Sequence, residues 1–213
     1  MVYGMEHSWT TLILVILALC SAGCLETLFG EPPHKAETTA PTTVPTVQST
    51  SLSEPPSDMA LQPSDLPYDY ILQDRSVMAS PEVSQLSRDL GWRQGYFVSF
   101  SRMDLNNNVL TRLRQSVNIY ATTESMNSVF LVEKEDLENQ QISPGTRYEI
   151  PFPAVGERRI AFRDTNPADT ERVVTYSVIF TKKNVYEKIT MSGTNTDYET
   201  LKHLVQRAEA LVR

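Results

Sequence analysis

The chain has 213 residues, with 19 Lys and Arg against 26 Asp and Glu, a formal net charge of −7, and 40% hydrophobic residues. That acidic balance offers no basic stripe to meet a phosphate backbone, so nucleic-acid binding is not expected. Two cysteines (Cys20, Cys24) and three histidines (His7, His34, His203) supply too few ligands for a disulfide framework or a structural zinc site.

The first element is an apolar run without charge, Thr10 to Leu19, closing on the small residues Cys20-Ser21-Ala22-Gly23-Cys24. A short apolar core ending in small side chains is the layout of a secretory signal. From Trp9 to Leu25 it gives 17 uncharged residues, at the lower edge of what spans a bilayer, where roughly 20 is comfortable. Ser21-Ala22-Gly23-Cys24 resembles a lipobox, with Ser21 standing where that pattern usually carries Leu. The resemblance implies that the Cys24 thiol takes a diacylglyceryl group and becomes the first residue of the mature chain. An uncleaved anchor ranks second, and cleavage after the small residues without lipid third. Met1 to Thr11 holds no Lys or Arg, which weakens all three equally. Residues 1–24 thus read as a signal peptide with lipobox or as a membrane anchor. No cysteine follows Cys24, and a solitary cysteine closing an export signal is more readily an acylation site than an unpaired thiol.

Residues 25–67 read as a disordered tether rich in Thr and Pro. Eight of the 13 prolines fall between Glu31 and Pro67, interleaved with Thr38, Thr39, Thr42, Thr43, Thr46 and Thr50. Large apolar side chains are nearly absent before Met59, so the segment buries too little to offset its ordering entropy. It is expected to act as a semi-rigid spacer, of a composition that also suits O-glycosylated stalks. From Asp65 onward 20 acids face 18 bases, so the part beyond the tether is nearly neutral.

Residues 68–213 are expected to form one α+β domain. A short strand at Asp69 to Leu72 is followed by a helix opened by Ser80-Pro81, with Val83, Leu86 and Leu90 inward and Gly91 as its stop. Strands at Gln94 to Met103 and Val109 to Ala121 meet at the turn Asn106-Asn107-Asn108. A helix begins at Thr123, with Met126, Val129, Phe130 and Leu137 on one face. Arg147 to Ile150 and Arg158 to Arg163 are shorter strands. Arg172 to Thr181 alternates cleanly and turns through Lys182-Lys183-Asn184 into Val185 to Met191. Thr196 and Glu199 have capping-box spacing for a last helix burying Tyr198, Leu201, Leu204, Val205, Ala208, Leu211 and Val212.

Hairpin strands with about three helices and no Gly-rich crossover argue for a mainly antiparallel sheet. Two long hairpin strands followed by an amphipathic C-terminal helix resemble the Mog1/PsbP type of α/β/α sandwich. An NTF2-like or cystatin-like sheet is the alternative.

No nucleophile elbow, metalloprotease motif, P-loop or dinucleotide fingerprint is present, and neither a metal nor a cofactor is expected. His203 falls on the polar face of the last helix. Asp104-Leu105-Asn106-Asn107-Asn108 begins like a calcium loop, but Val109 and Gln115 stand where such a loop needs Gly and Glu, which favours a turn. The acidic run Glu133 to Glu138 reads as a solvated helix face. The most suggestive group is Trp92, Arg93, Tyr96, Phe97, Phe100 and Arg102, with Arg112 and Arg114 on the adjoining strand. Of these, Trp92, Tyr96 and Arg102 are the candidate ligand- or partner-binding residues.

Together these features resemble a prokaryotic exported lipoprotein of the archaeal type, with a Thr/Pro-rich spacer. The expectation ranked first is a non-enzymatic binding or accessory domain on the outer face of the cytoplasmic membrane, meeting a protein partner or small ligand. A carboxylate-dependent extracytoplasmic hydrolase and a structural envelope protein are the alternatives.

Overall fold

The computed structural model of the protein describes residues 54–104, 106, 108–139, 145–166 and 172–213. Cys24, the segment around it and most of the tether lie outside the described residues. Among the described residues no helix is long and apolar enough to cross a membrane.

The strands are β1 (Tyr70–Val77), β2 (Trp92–Met103), β3 (Val109–Tyr120), β4 (Thr146–Glu149), β5 (Arg158–Thr165), β6 (Val174–Lys182) and β7 (Val185–Gly193). They form one sheet in the order β1-β2-β3-β7-β6-β5-β4, with every neighbouring pair antiparallel. The chain builds this from two meanders, β1–β2–β3 and β4–β5–β6–β7. Helix α2 (Thr123–Asn139) carries the chain from β3 at the centre to β4 at the far edge, and β7 returns to pair with β3. Helix α3 (Tyr198–Leu211) follows the second meander, and the five-residue α1 (Gln85–Asp89) lies between β1 and β2. The fold is α+β, with an antiparallel sheet and three helices.

The two long helices cover opposite faces because the two apolar sets of the central strands point opposite ways. Leu201, Leu204, Val205 and Ala208 of α3 join Phe100, Leu113, Val117, Phe180 and Ile189 in the larger core. Met126, Val129, Phe130 and Leu137 of α2 join Tyr120, Ile160, Phe162, Ile179 and Tyr186 in the second. Alternation in β6 made this legible, since Val178 and Phe180 serve the α3 face while Ile179 serves the α2 face.

Several elements depart from expectation. The folded part begins before residue 68. Met59, Ala60 and Leu61 are essentially inaccessible and Leu66 is buried, all within the larger core. The last stretch of the Thr/Pro segment is therefore a strap on the α3 face, where Asp65 pairs with Arg207 of α3 at 2.8 Å. The continuous helix expected from Ser80 is instead a 3-10 turn, Ser80–Glu82, and then α1. Ser84 interrupts it by capping α1, its Oγ accepting the Ser87 N–H at 3.1 Å. Leu86, expected inward, is exposed. β1 runs five residues past Leu72, pairing with β2 through a bulge between Leu72 and Asp74. The cap of α3 is Asp197 rather than Thr196. Its carboxylate accepts the N–H groups of Glu199 and Thr200 at 3.1 and 3.3 Å. The Thr200 hydroxyl and those amides hold Asp197 below the usual carboxylate range.

Gly156 shows how tightly the loop before β5 is laid. Its φ is +57°, and a Cβ there would sit 2.2 Å from the Thr181 carbonyl oxygen. Gly156→Ala is expected to destabilise the domain by about 2 kcal/mol or more, read as a lower midpoint in thermal unfolding.

Candidate functional site

β3 records where α2 stops. Its α3-facing positions, Thr111, Leu113, Gln115 and Val117, are all buried. Its opposite positions run Arg112, Arg114, Ser116, Asn118, Tyr120, passing from exposed to buried along the strand. α2 packs on the Tyr120 end of this face and leaves the Arg112 end open among the described residues.

That open half is a trough across the strands. On the β1 side a cavity of about 440 Å³ is lined by Gln73, Asp74, Ser99, Ser101, Arg112 and Arg114, among others. On the β6 side a cavity of about 220 Å³ shares the two arginines and adds Thr190 and Ser192 of β7. The register explains the grouping, since Ser99 pairs with Arg114, Ser101 with Arg112, and Arg114 and Arg112 with Thr190 and Ser192. Ser192 bonds Thr175 at 2.8 Å, so the hydroxyl row continues onto β6. The hydroxyls of Ser99 and Ser101 have no hydrogen-bond partner among the described residues, and neither arginine has an ion-pair partner there. Some other cations are occupied, Arg147 by Asp164, Lys182 by Glu209 and Lys188 by Glu133, whereas Arg75, Arg93, Arg158 and Lys183 also lack an ion-pair partner among the described residues. Arg159, beside a separate depression of about 480 Å³, donates to the Phe152 carbonyl.

The three residues singled out in the sequence do not converge. Trp92 packs against the cluster under α2 and donates its Nε1–H to Asn118 Oδ1 at 3.0 Å. Tyr96 packs against the larger core. Arg102 is a clamp at the far end of β2. It donates to the Asn195 carbonyl at 2.6 Å and Thr111 Oγ1 at 3.3 Å, pairs with Asp69 at 3.7 Å and lies over the Tyr70 ring. It thereby ties the approach to β1, β3 and the loop before α3 together. The adjoining arginines, noticed only as neighbours of this group, are the ones the sheet presents.

The chain matches no protein-family model and no curated relative. Its fold is similar to that of the extracellular domain of PknH from Mycobacterium tuberculosis, with a TM-score of 0.56 and 10% identity. That likeness covers 73% of this chain and 93% of the other. What is shared is the fold. An uncharacterised Mycobacterium smegmatis protein gives a TM-score of 0.43 at 8% identity, over 73% of this chain and 95% of that one.

The remaining sequence candidates take structural places. His203 is exposed on α3. Asp104 Oδ1 accepts the N–H groups of Asn106 and Asn108, each at 2.8 Å, so its carboxylate is spent on closing the β2–β3 turn. In the acidic run of α2, Glu133 reaches Lys188 of β7 and Lys134 pairs with Glu138. Among the described residues no cluster of His, Cys, Asp and Glu could hold a metal ion.

Sequence reading missed a second polar feature, inside the core. Glu187 is fully buried on the α3 face of β7, between Val185 and Ile189. Gln115 of β3 donates to its Oε2 at 2.7 Å and accepts the Leu61 N–H at 2.7 Å through its own Oε1. Glu187 Oε1 has no partner among the described residues. Burial pushes the Glu187 carboxyl up to about 8, against the opposing pull of the Gln115 hydrogen bond. The signal for this was a Glu at an inward position of an otherwise apolar strand. The chain thus uses a protonated carboxyl and an amide to hold its strap to the sheet.

Proposed function

We propose that the chain is an exported protein, tethered to the outer face of the cytoplasmic membrane through Cys24, whose domain is a non-enzymatic binding module. The observation that carries the binding half is the half-face of the sheet left open among the described residues, where two arginines without an ion-pair partner and a row of hydroxyls line a trough together with Phe97, Val109 and Val173. Export is supported by the Thr10–Leu19 run and the Thr/Pro tether, and the extracellular domain of PknH adopts a similar fold. The hydrolase alternative asks for two acids in one concavity, and Asp74 is the one carboxylate lining the larger trough cavity.

Surface labelling of intact cells with a membrane-impermeant amine reagent is expected to modify the chain. Intact mass of the membrane-extracted protein is expected to give a chain starting at Cys24 with an added lipid, and Cys24→Ser to lose that mass. An unlabelled chain retained inside the cell sinks the reading. So does hydrolysis of ester, glycoside or peptide substrates by the purified full chain that one carboxylate substitution abolishes.

A further inference from the structure

We infer that the trough takes a phosphorylated polyol, with the phosphate seated between Arg112 and Arg114 and the polyol hydroxyls along the flanking Ser and Thr row. This deepens the reading of the domain as a binding module and rests on it.

The arginines stand two residues apart on one strand face, so their Cα atoms are roughly 6.6 Å apart and both guanidinium groups can close on one anion. A single carboxylate has two oxygens, which one guanidinium fork satisfies by itself. Two adjacent forks match a group with three oxygens and up to two charges, which is a phosphate monoester. The flanks are of different chemistry. With Phe97, Val109 and Val173 between and beside them, Ser99 and Ser101, both buried in the floor, carry hydroxyls without a partner among the described residues on one side, and Thr190 and the Thr175-bonded Ser192 continue the row on the other. Such groups exchange hydrogen bonds with sugar or inositol hydroxyls. Asp74, at the β1 end, accepts from a hydroxyl but repels a second anion. The trough therefore selects one central phosphate with a neutral, hydroxylated flank. Because it is shallow and open, it also admits a headgroup still attached to its lipid.

The test is a calorimetric titration of the detergent-solubilised full chain with inositol 1-phosphate, unphosphorylated inositol and inorganic phosphate, alongside co-sedimentation with phosphatidylinositol or phosphatidylcholine vesicles. Binding of inositol 1-phosphate is expected to exceed that of either fragment and to fall at least about tenfold per arginine in Arg112→Gln and Arg114→Gln. Both side chains are exposed, so these variants are expected to keep the parent's thermal midpoint, and Arg112→Lys to retain part of the affinity. Vesicle binding that needs both arginines, without binding of soluble inositol 1-phosphate, supports the same chemistry from a lipid source. Equal binding of unphosphorylated inositol, or affinity unchanged in the double variant, overturns the ligand class. So does the absence of binding by every probe. Surface labelling separates the failures: a labelled, lipidated chain that ignores these probes loses only the ligand class, whereas an intracellular chain loses the binding-module reading itself.

Discussion

Glu187→Gln is expected to stabilise the domain at pH 9 by on the order of 4 kcal/mol and to leave it nearly unchanged at pH 4. The Glu187 carboxyl is raised from an ordinary 4.5 to about 8, mainly because its charged form has no water around it. The native state therefore holds this proton more tightly than the unfolded chain does. Stability associated with the proton is complete below about pH 4.5 and is lost as pH rises through about 8. The charges facing Glu187 act in opposite directions: Glu209 of α3 opposes ionisation and Lys182 of β6 favours it, and these two are themselves paired at 3.0 Å. Gln115 of β3 cannot turn to help further, because its oxygen is committed to the Leu61 N–H. In the variant, the introduced amide oxygen still accepts from Gln115 while nothing ionises. Chemical denaturation from pH 4 to 9 reads the difference directly. A parent whose stability is flat across that range would show that Glu187 ionises in the fold at the same pH as in the unfolded chain, so that burial does not raise it.

A chain beginning at residue 68 is expected to lose cooperative unfolding, whereas one beginning at residue 54 keeps it. Removing the strap takes Met59, Leu61 and Leu66 out of the larger core. At roughly 1.5–3 kcal/mol for each fully buried side chain, the three together contribute roughly 4.5–9 kcal/mol, comparable to the whole stability of many domains. It also strips Gln115 Oε1 of its donor, the Leu61 N–H. Circular dichroism melts of the two truncations decide the matter, with equal midpoints as the result that overturns the expectation. Pro55, Pro56, Pro63 and Pro67 lie within or beside the strap, so composition by itself assigned this stretch to the tether. Composition averages over a window, but burial is settled one side chain at a time.

Much of the rest was legible for a simple reason. Strand and helix periodicities are local, so the β2–β3 and β6–β7 hairpins and α3 follow from residues that are neighbours in the chain. The α2 face was equally plain from Met126, Val129, Phe130 and Leu137. The helix expected from Ser80 failed on the same principle. Its apolar spacing was helical, but Ser84 offered a cap inside it and Leu86 found no core to enter. For the candidate site, residue types in the Trp92–Arg102 stretch drew attention to this corner of the sheet, where the structure gives Trp92, Tyr96 and Arg102 packing and clamping contacts and presents Arg112 and Arg114 to the trough. Aromatic and arginine content does not say which residues face a core, a clamp or solvent. The Nη atoms of Arg102 are engaged by Asn195, Thr111 and Asp69, partners supplied by three other parts of the chain.

By itself the sequence determined that the chain carries a signal-like apolar run ending at Cys24, a Thr/Pro spacer, and an α+β domain with its strand and helix faces already marked. The tertiary structure decided where the folded part begins, which strands are central, and which half of the sheet face is open among the described residues. The reason is that these are all long-range pairings. Val185 of β7 reaches back to Ile119 of β3, Leu61 reaches Gln115 across 54 positions, and α2 covers the Tyr120 end of β3 rather than the Arg112 end. No local pattern encodes such choices. They follow from burying two apolar faces at once, and among the side chains that burial leaves exposed are Arg112 and Arg114.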